Sequence, residues 1–221
     1  MAVVCEDGPM GRLLLVRHAQ SVWNAAGRWQ GWSDAPLSEL GIEQATRAGK
    51  YLAAEGLQPA EVACSDLARA RLTAELIAEQ LGYERPVTLE PALREHDVGE
   101  WNGLTMAEIT ARWPSEVELW RERRLVAFPG GEQLSTFDER IQAAMRHLGA
   151  LALGTDILVV AHAGVVRSVE EWLRIWRPDR SHSNLTGWWL ESTGAPSSIE
   201  LVALEHVDLV SLGNEAVPGP V

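Results

Sequence analysis

Three short apolar runs in this chain stop at residues that can hold an anion. Leu13-Leu14-Leu15-Val16 leads into Arg17-His18-Ala19-Gln20-Ser21, and Asp156-Ile157-Leu158-Val159-Val160-Ala161 leads into His162-Ala163-Gly164. Glu61-Val62-Ala63-Cys64 leads into Ser65-Asp66-Leu67-Ala68-Arg69-Ala70. Such runs read as short buried strands. Helical patterns separate them, and strand-helix alternation dictates a mainly parallel sheet with helices packed on it. The expected fold is therefore a three-layer α/β/α sandwich. In open sheets of this kind, ligands bind at the carboxyl ends of the strands. Arg17, His18, Arg69 and His162 all fall at such ends. Singly, His162 reads as a core histidine and Arg69 as a solvated helix residue; together they read as a site.

The remaining elements follow from periodicity and caps. A helix is expected over 39–55 with Ser38 as its N-cap, and another over 66–81 ended by Gly82. The second carries Leu67, Ala70, Ala74, Ile77 and Leu81 as a stripe at helical spacing. A strand over 87–89 precedes two helical pieces, 105–113 and 115–124, broken at Pro114. A helix over 135–151 precedes the strand over 157–161, and a helix over 165–176 follows it. Strands are expected over 185–190 and 199–204. The organisation is one domain over 12–210, with a helical lid at about 100–130 and flexible tails at 1–11 and 213–221.

Composition narrows the partners. Acidic residues outnumber basic ones 31 to 19, for a net charge of −12. That balance disfavours nucleic acid and anionic membranes. No apolar run approaches the roughly 18 residues of a membrane span. The N-terminus lacks the basic and apolar regions of a secretory signal, and Cys5 and Cys64 are the only cysteines. The expected compartment is the cytoplasm, without a disulfide. There is no His-Glu-x-x-His, no paired cysteine, no calcium loop, no Gly-x-Ser-x-Gly elbow and no Walker or dinucleotide fingerprint. No metal and no cofactor is implied. The sequence leaves the oligomeric state open.

A fourth segment completes a pattern: Leu93-Arg94-Glu95-His96-Asp97-Val98-Gly99-Glu100-Trp101-Asn102-Gly103-Leu104. Taken with the three strand ends, the chain resembles the histidine phosphatase superfamily, which includes the cofactor-dependent phosphoglycerate mutases. The matching motifs run in family order from Leu13 to His162. The resemblance implies a phosphoglycerate mutase-like sandwich acting on a small phosphorylated metabolite. It also implies that Leu93-Arg94-Glu95 carries an acid and that Asn24 belongs to a phosphate loop. Ala19 stands where the family more often has Gly. A second branch of the superfamily places Asp directly after the second His; here that residue is Ala163, which does not fit it.

These residue types suit phosphoryl transfer. A neutral imidazole can attack phosphorus and form a phosphohistidine, and His18 is the expected nucleophile. Arg17 and Arg69 are expected to grip phosphate oxygens in forked hydrogen bonds, with His162 as a further donor. The N-terminus of the helix carrying Arg69 is expected to add favourable potential. Glu95 is expected to protonate the leaving oxygen and then to deprotonate water.

The expected function is a metal-independent phosphomonoesterase. The alternative is a phosphoglycerate-mutase-type phosphotransferase. Gly31-Trp32-Ser33-Asp34 and Leu37-Ser38-Glu39-Leu40-Gly41 resemble mutases, whereas Val98 to Leu104 and a short stretch from Glu95 to Glu132 resemble the phosphatase branch. A catalytically silent module that binds phosphorylated ligands is a third class. Ten Trp residues are present. Trp23, Trp29 and Trp32, with Trp101, Trp113 and Trp120, lie on two segments that can wall a cleft. Arg28, Arg94, Arg112, Arg123 and Arg124 are candidates for reading a second acidic group. His96 and His182 can approach the pocket, though spacing does not show it; Asp97 and Glu100 read as structural.

Overall fold

Leu13, Leu14, Leu15 and Val16 are all fully buried, yet they serve two different cores. Alternate side chains of a strand point to opposite faces of its sheet. Leu13 and Leu15, with Ile157 and Val159, pack on Ile141, Met145, Leu148, Val165 and Val169. Leu14 and Val16, with Leu158 and Val160, pack on Ala45, Ala48, Leu52, Ala70, Ala74 and Ile77. A strand buried on both faces has helices on both faces, which makes the three layers.

The computed structural model describes residues 10–175 and 182–216. The strands are β1 (Gly11–Arg17), β2 (Glu61–Cys64), β3 (Thr88–Leu89), β4 (Asp156–Ala161), β5 (Thr186–Ala195) and β6 (Ser198–Asp208). Their order across the sheet is β3-β2-β4-β1-β5-β6. The first four run parallel, and β5 and β6 are antiparallel. The sheet is thus mainly parallel, as expected. Helices α2 (Glu39–Ala54) and α3 (Ala68–Gln80) cover one face, and α6 (Leu134–Ala152) and α7 (Ala163–Trp172) the other. A short α1 (Val22–Ala25) follows β1, while α4 (Met106–Arg112) and α5 (Pro114–Arg121) form an excursion between β3 and α6. Pro114 is the first residue of α5, where its missing N–H costs nothing.

The excursion has its own core of Val98, Trp101, Ile109, Val117, Leu125 and Phe128. Its two legs are pinched together at glycines. Gly99 has φ +52°, and a Cβ there would lie 2.2 Å from the Pro129 carbonyl oxygen.

Helix α7 ends at Trp172 rather than 176 and α5 at Arg121 rather than 124; three further differences have visible reasons. Helix α3 starts at Ala68 rather than Asp66, because Asp34 from a distant loop caps it by accepting from Ala68 N–H at 2.7 Å. Strands β5 and β6 outrun their apolar runs, because the hairpin ladder continues to the pair Ala195 and Ser198. Residues 209–216 form a helix, α8 (Leu209–Ala216), although a tail was expected from 213. Asp208 accepts from Val210 and Ser211 N–H at 3.1 and 3.2 Å, and Leu209 is buried in the core beneath α2. Of the other expected features, Cys5, Trp176 and the outer parts of both tails lie outside the described residues. No helix among the described residues is long and apolar enough to cross a membrane.

Candidate active site

The sheet register sets the centre of the site. Arg17 pairs with Ala161 across β1 and β4, and Cys64 pairs with Val160 across β2 and β4. The residues that follow therefore emerge side by side. His18 N–H donates to the Ala161 carbonyl at 2.9 Å. The rings of His18 and His162 meet edge to face, with centroids 5.2 Å apart.

The tautomer of His18 follows from its partners. Its Nδ1 lies 2.6 Å from the Ala19 carbonyl oxygen, which can only accept, so Nδ1 carries the proton. Nε2 then holds a lone pair, and Arg69 Nε donates to it at 3.2 Å. Burial is the main force pushing the His18 pKa well below 6.5, followed by the charges of Arg69 and Arg17. The free imidazole is thus neutral and nucleophilic. His162 is driven well below 6.5 too, first by burial and then by Arg69. Both of its ring nitrogens are buried without a partner among the described residues. Buried polar atoms are rarely left so unless a ligand or water serves them.

The two arginines are held differently. Arg69 is fully buried and donates through its two terminal nitrogens to the Ser33 and Gly31 carbonyls, each at 2.9 Å. One N–H of each terminal nitrogen remains for a ligand. Arg17 donates to the His182 carbonyl, and its Nε is buried without a partner among the described residues. Removal from water lowers both guanidinium pKa values to about 10. Both stay charged at neutral pH.

Glu95 is clamped at the same cavity. Its carboxylate accepts from His96 N–H at 2.9 Å and from Gly164 N–H at 3.2 Å. A Cβ on residue 164 would lie 2.1 Å from Glu95 Oε1, so glycine is needed there. Arg140 of α6 fastens the segment from behind. It donates to the carbonyls of Ala92, Arg94 and Glu95 at 2.7, 2.7 and 3.0 Å, and it pairs with Glu132 at 2.8 Å. Asn24 turns its Oδ1 toward Ser21 N–H, at 3.2 Å, and Asn184 Nδ2, at 3.1 Å, leaving its own amide N–H groups for the cavity. Asn184 also donates to the His18 carbonyl at 2.9 Å.

Arg17, His18, Asn24, Arg69 and Glu95 line one cavity of about 660 Å³. His162, fully buried and edge-on to His18, does not line it. Trp29, Trp120, Phe128 and Phe137 supply aromatic surface. Trp101 and Trp113 belong to the core of the excursion, while Trp23 lies over Gly103. Trp32 donates to the Glu95 carbonyl at 2.8 Å. His96 lines the cavity, stacked on Phe137, and His182 is turned away toward Glu170 at 2.8 Å.

Two expectations need correction. The N-terminus of α3 offers no free potential for an anion, because Asp34 already occupies it. Of the arginines nominated to read a second acidic group, only Arg28 lines the cavity, and it is engaged with the Gly103 carbonyl at 2.7 Å. Arg94 pairs with Asp66 at 2.6 Å, Arg123 with Glu171 at 3.1 Å and Arg124 with Glu122 at 2.9 Å. Arg112 lies against the Trp113 ring. The contributions of Arg140, Asn184 and Gly164 are absent from the sequence reading. They depend on contacts between distant segments, and no local pattern announces them.

Imidazoles and guanidiniums converge at the carboxyl edge of this sheet, residue types suited to an anion. The chain belongs to the histidine phosphatase superfamily, whose branch 1 profile matches residues 13–187. A 2,3-bisphosphoglycerate-dependent phosphoglycerate mutase of Xanthobacter autotrophicus is 36% identical over 207 residues, covering 90% of this chain and 98% of the relative. The structure of a phosphoglycerate mutase from Bacillus anthracis superposes with a TM-score of 0.79 at 22% identity, covering 94% of this chain and 98% of the other, and supports the fold. A mycobacterial glucosyl-3-phosphoglycerate phosphatase superposes at 0.72 with 30% identity, covering 88% of this chain and 97% of the other.

Proposed function

We propose that this protein is a phosphomonoester hydrolase that works through a phosphohistidine at His18 on a small phosphorylated metabolite. One observation carries the reading. His18 Nε2 holds a lone pair in a cavity where Arg17 and Arg69 keep unused N–H groups. In the first step Nε2 attacks phosphorus and the bond to the ester oxygen breaks. The carboxylic acid of Glu95 gives its proton to that oxygen, so the alcohol leaves neutral. In the second step the Glu95 carboxylate takes a proton from water as the water oxygen attacks phosphorus. The N–P bond breaks, inorganic phosphate leaves and the imidazole is restored. Arg17, Arg69 and Asn24, which line the cavity, bear on the equatorial oxygens, where charge must be stabilised through both steps. These groups supply the charge that a metal ion would otherwise bring.

A second reading is a phosphoglycerate-mutase-type phosphotransferase, and the name of the Xanthobacter relative favours it. The two share the first step and differ in what accepts the phosphoryl group. The hydrolase reading draws support from the short stretch between Glu95 and Glu132, which resembles the phosphatase branch, and from the phosphatase among the structural relatives. The test is a panel of metabolite phosphates in excess EDTA, with no bisphosphoglycerate added. Steady release of inorganic phosphate is expected. Interconversion of phosphoglycerates without net phosphate release would establish the mutase instead. Loss of activity on adding EDTA, restored by a divalent ion, would overturn the metal-free mechanism. Absence of any turnover, with ligands still bound, would leave a silent binding module.

A further inference from the structure

The cavity has a second cationic pole. Ala163, Gly164, Arg167, Ser168 and Glu171 all line it, and their spacing puts them on one face of α7. Ala163 and Gly164 border the phosphate end. Arg167 lies one turn farther along the helix, about 6 Å at 1.5 Å per residue.

Arg167 is the cavity arginine with nothing to do. Arg17, Arg28 and Arg69 donate to backbone carbonyls. Arg167 makes no hydrogen bond or ion pair among the described residues. Carboxylates are close at hand and are committed elsewhere. Glu171, one turn on, pairs with Arg123 at 3.1 Å, and Asp138 accepts from Ser168 Oγ at 2.6 Å. In a chain of net charge −12 an unpaired arginine beside spoken-for acids is not there for want of partners. It also acts against the free protein, because its charge disfavours the protonated Arg17 guanidinium. An anion bound between them relieves that repulsion. Arg167 stands, moreover, where this cavity meets a second one of about 540 Å³, with Trp120, Leu134 and Glu171 shared between the two. A ligand longer than a bare phosphoryl group passes it.

We propose that Arg167 is a specificity residue that reads a second acidic group on the substrate, a carboxylate or a second phosphate. The preferred substrates are then phosphomonoesters whose second anion lies about one helical turn from the reacting phosphorus. The inference rests on the reading of this cavity as a phosphomonoester site.

Two matched pairs test it. 3-Phosphoglycerate against glycerol 3-phosphate varies a carboxylate, and fructose 1,6-bisphosphate against fructose 6-phosphate varies a phosphate. Initial rates of phosphate release are measured for the wild type, Arg167→Ala and Arg167→Lys. The same ligands are titrated calorimetrically into His18→Ala protein with and without Arg167→Ala. The wild type should favour the more acidic member of at least one pair by roughly tenfold or more, the scale of a charged hydrogen bond. Arg167→Ala should erase that preference through KM and Kd, and Arg167→Lys should restore part of it. The pair that responds tells carboxylate from phosphate. No preference in either pair, or a preference that survives Arg167→Ala, would overturn the inference. If no ester is hydrolysed while the acidic ligands still bind through Arg167, the hydrolase reading fails and the second pole stands.

Discussion

The phosphate end of the cavity and its aromatic wall face each other, and different forces build them. At the phosphate end, polar groups sit where β1, β2 and β4 stop, and ladder register fixes their spacing. His18, Arg69 and His162 are buried there beside the two aliphatic cores. Trp120 and Phe128 of the wall belong to the excursion, whose core is held by rings instead. Trp29 meets Trp101 and Trp120 edge-on with centroids 5.2 and 5.1 Å apart, and Trp101 meets Phe128 at 5.0 Å. Polar links also tie the excursion to the loop after His18: Trp29 N–H donates to the Leu104 carbonyl at 2.8 Å, the Trp29 carbonyl accepts from Gly103 N–H at 2.9 Å, and Gly31 N–H donates to Asn102 Oδ1 at 3.1 Å. Chemistry therefore depends on the strand ends, and the shape of the ligand space on an aromatic cluster that has a core of its own.

The sharpest way to break this division is to change one end and watch the other. His18→Ala should abolish turnover, by roughly 10³-fold or more, while the aromatic wall and the melting transition stay as they are. Phosphate release within tenfold of wild type, in protein free of other phosphatases, would remove His18 from the role of nucleophile. Glu95→Gln comes next. Glutamine keeps the size of the side chain and one of the two contacts to His96 and Gly164 N–H, since its amide nitrogen cannot accept, and it cannot give up a proton. An alkyl phosphate should lose roughly 10²-fold, and a nitrophenyl phosphate, whose leaving group needs no acid, much less. Equal losses on both, where phosphorylation limits turnover, would mean that another group is the acid.

The same division explains what was legible. Arg17, His18, Arg69 and His162 could be read because Arg17 ends a strand, His18 and His162 directly follow one and Arg69 opens the helix after one, and strand ends in an alternating sheet share an edge. Glu95 became legible through family resemblance; no spacing rule points to it. Arg140, Asn184 and Arg167 were silent because helix packing and a distant loop bring them in. The arginines nominated for substrate were judged by charge alone. Arg94 and Arg123 proved to have carboxylate partners across the fold, which sequence separation hides. Helix α8 was missed although Asp208 is an ordinary N-cap type, because the closing Val217-Pro218-Gly219-Pro220-Val221 reads as a tail.

Removing the wall's centrepiece probes its independence. Trp101 is fully buried, and Trp101→Ala should cost about 3–5 kcal/mol in local stability. Because the excursion has its own core, the loss should appear as proteolytic cleavage between residues 100 and 130 before global unfolding. Turnover of nitrophenyl phosphate should fall by no more than about tenfold, since local unfolding leaves the sheet folded. Collapse of both the melting transition and turnover together would show that the two regions are one cooperative unit.

The subtlest test asks whether the wall keeps the phosphate end dry. Burial is the first cause that lowers the pKa of His18 and of His162 below 6.5. Their imidazole resonances should therefore stay in the neutral form as pH falls through 6.5. In the unfolded chain both imidazoles take up protons near that value, so the unfolded state binds more protons below it. The stability these two groups contribute by being neutral is fully present above pH 6.5 and is lost as pH falls toward their depressed folded values. Melting temperature should drop on acidification over that window, and Ala at either position should flatten the slope. In Trp101→Ala protein, water admitted past the loosened wall should raise the His18 pKa back toward 6.5. An unchanged titration in that variant would show that the sheet edge alone excludes water, and that the aromatic wall shapes the ligand without tuning the nucleophile.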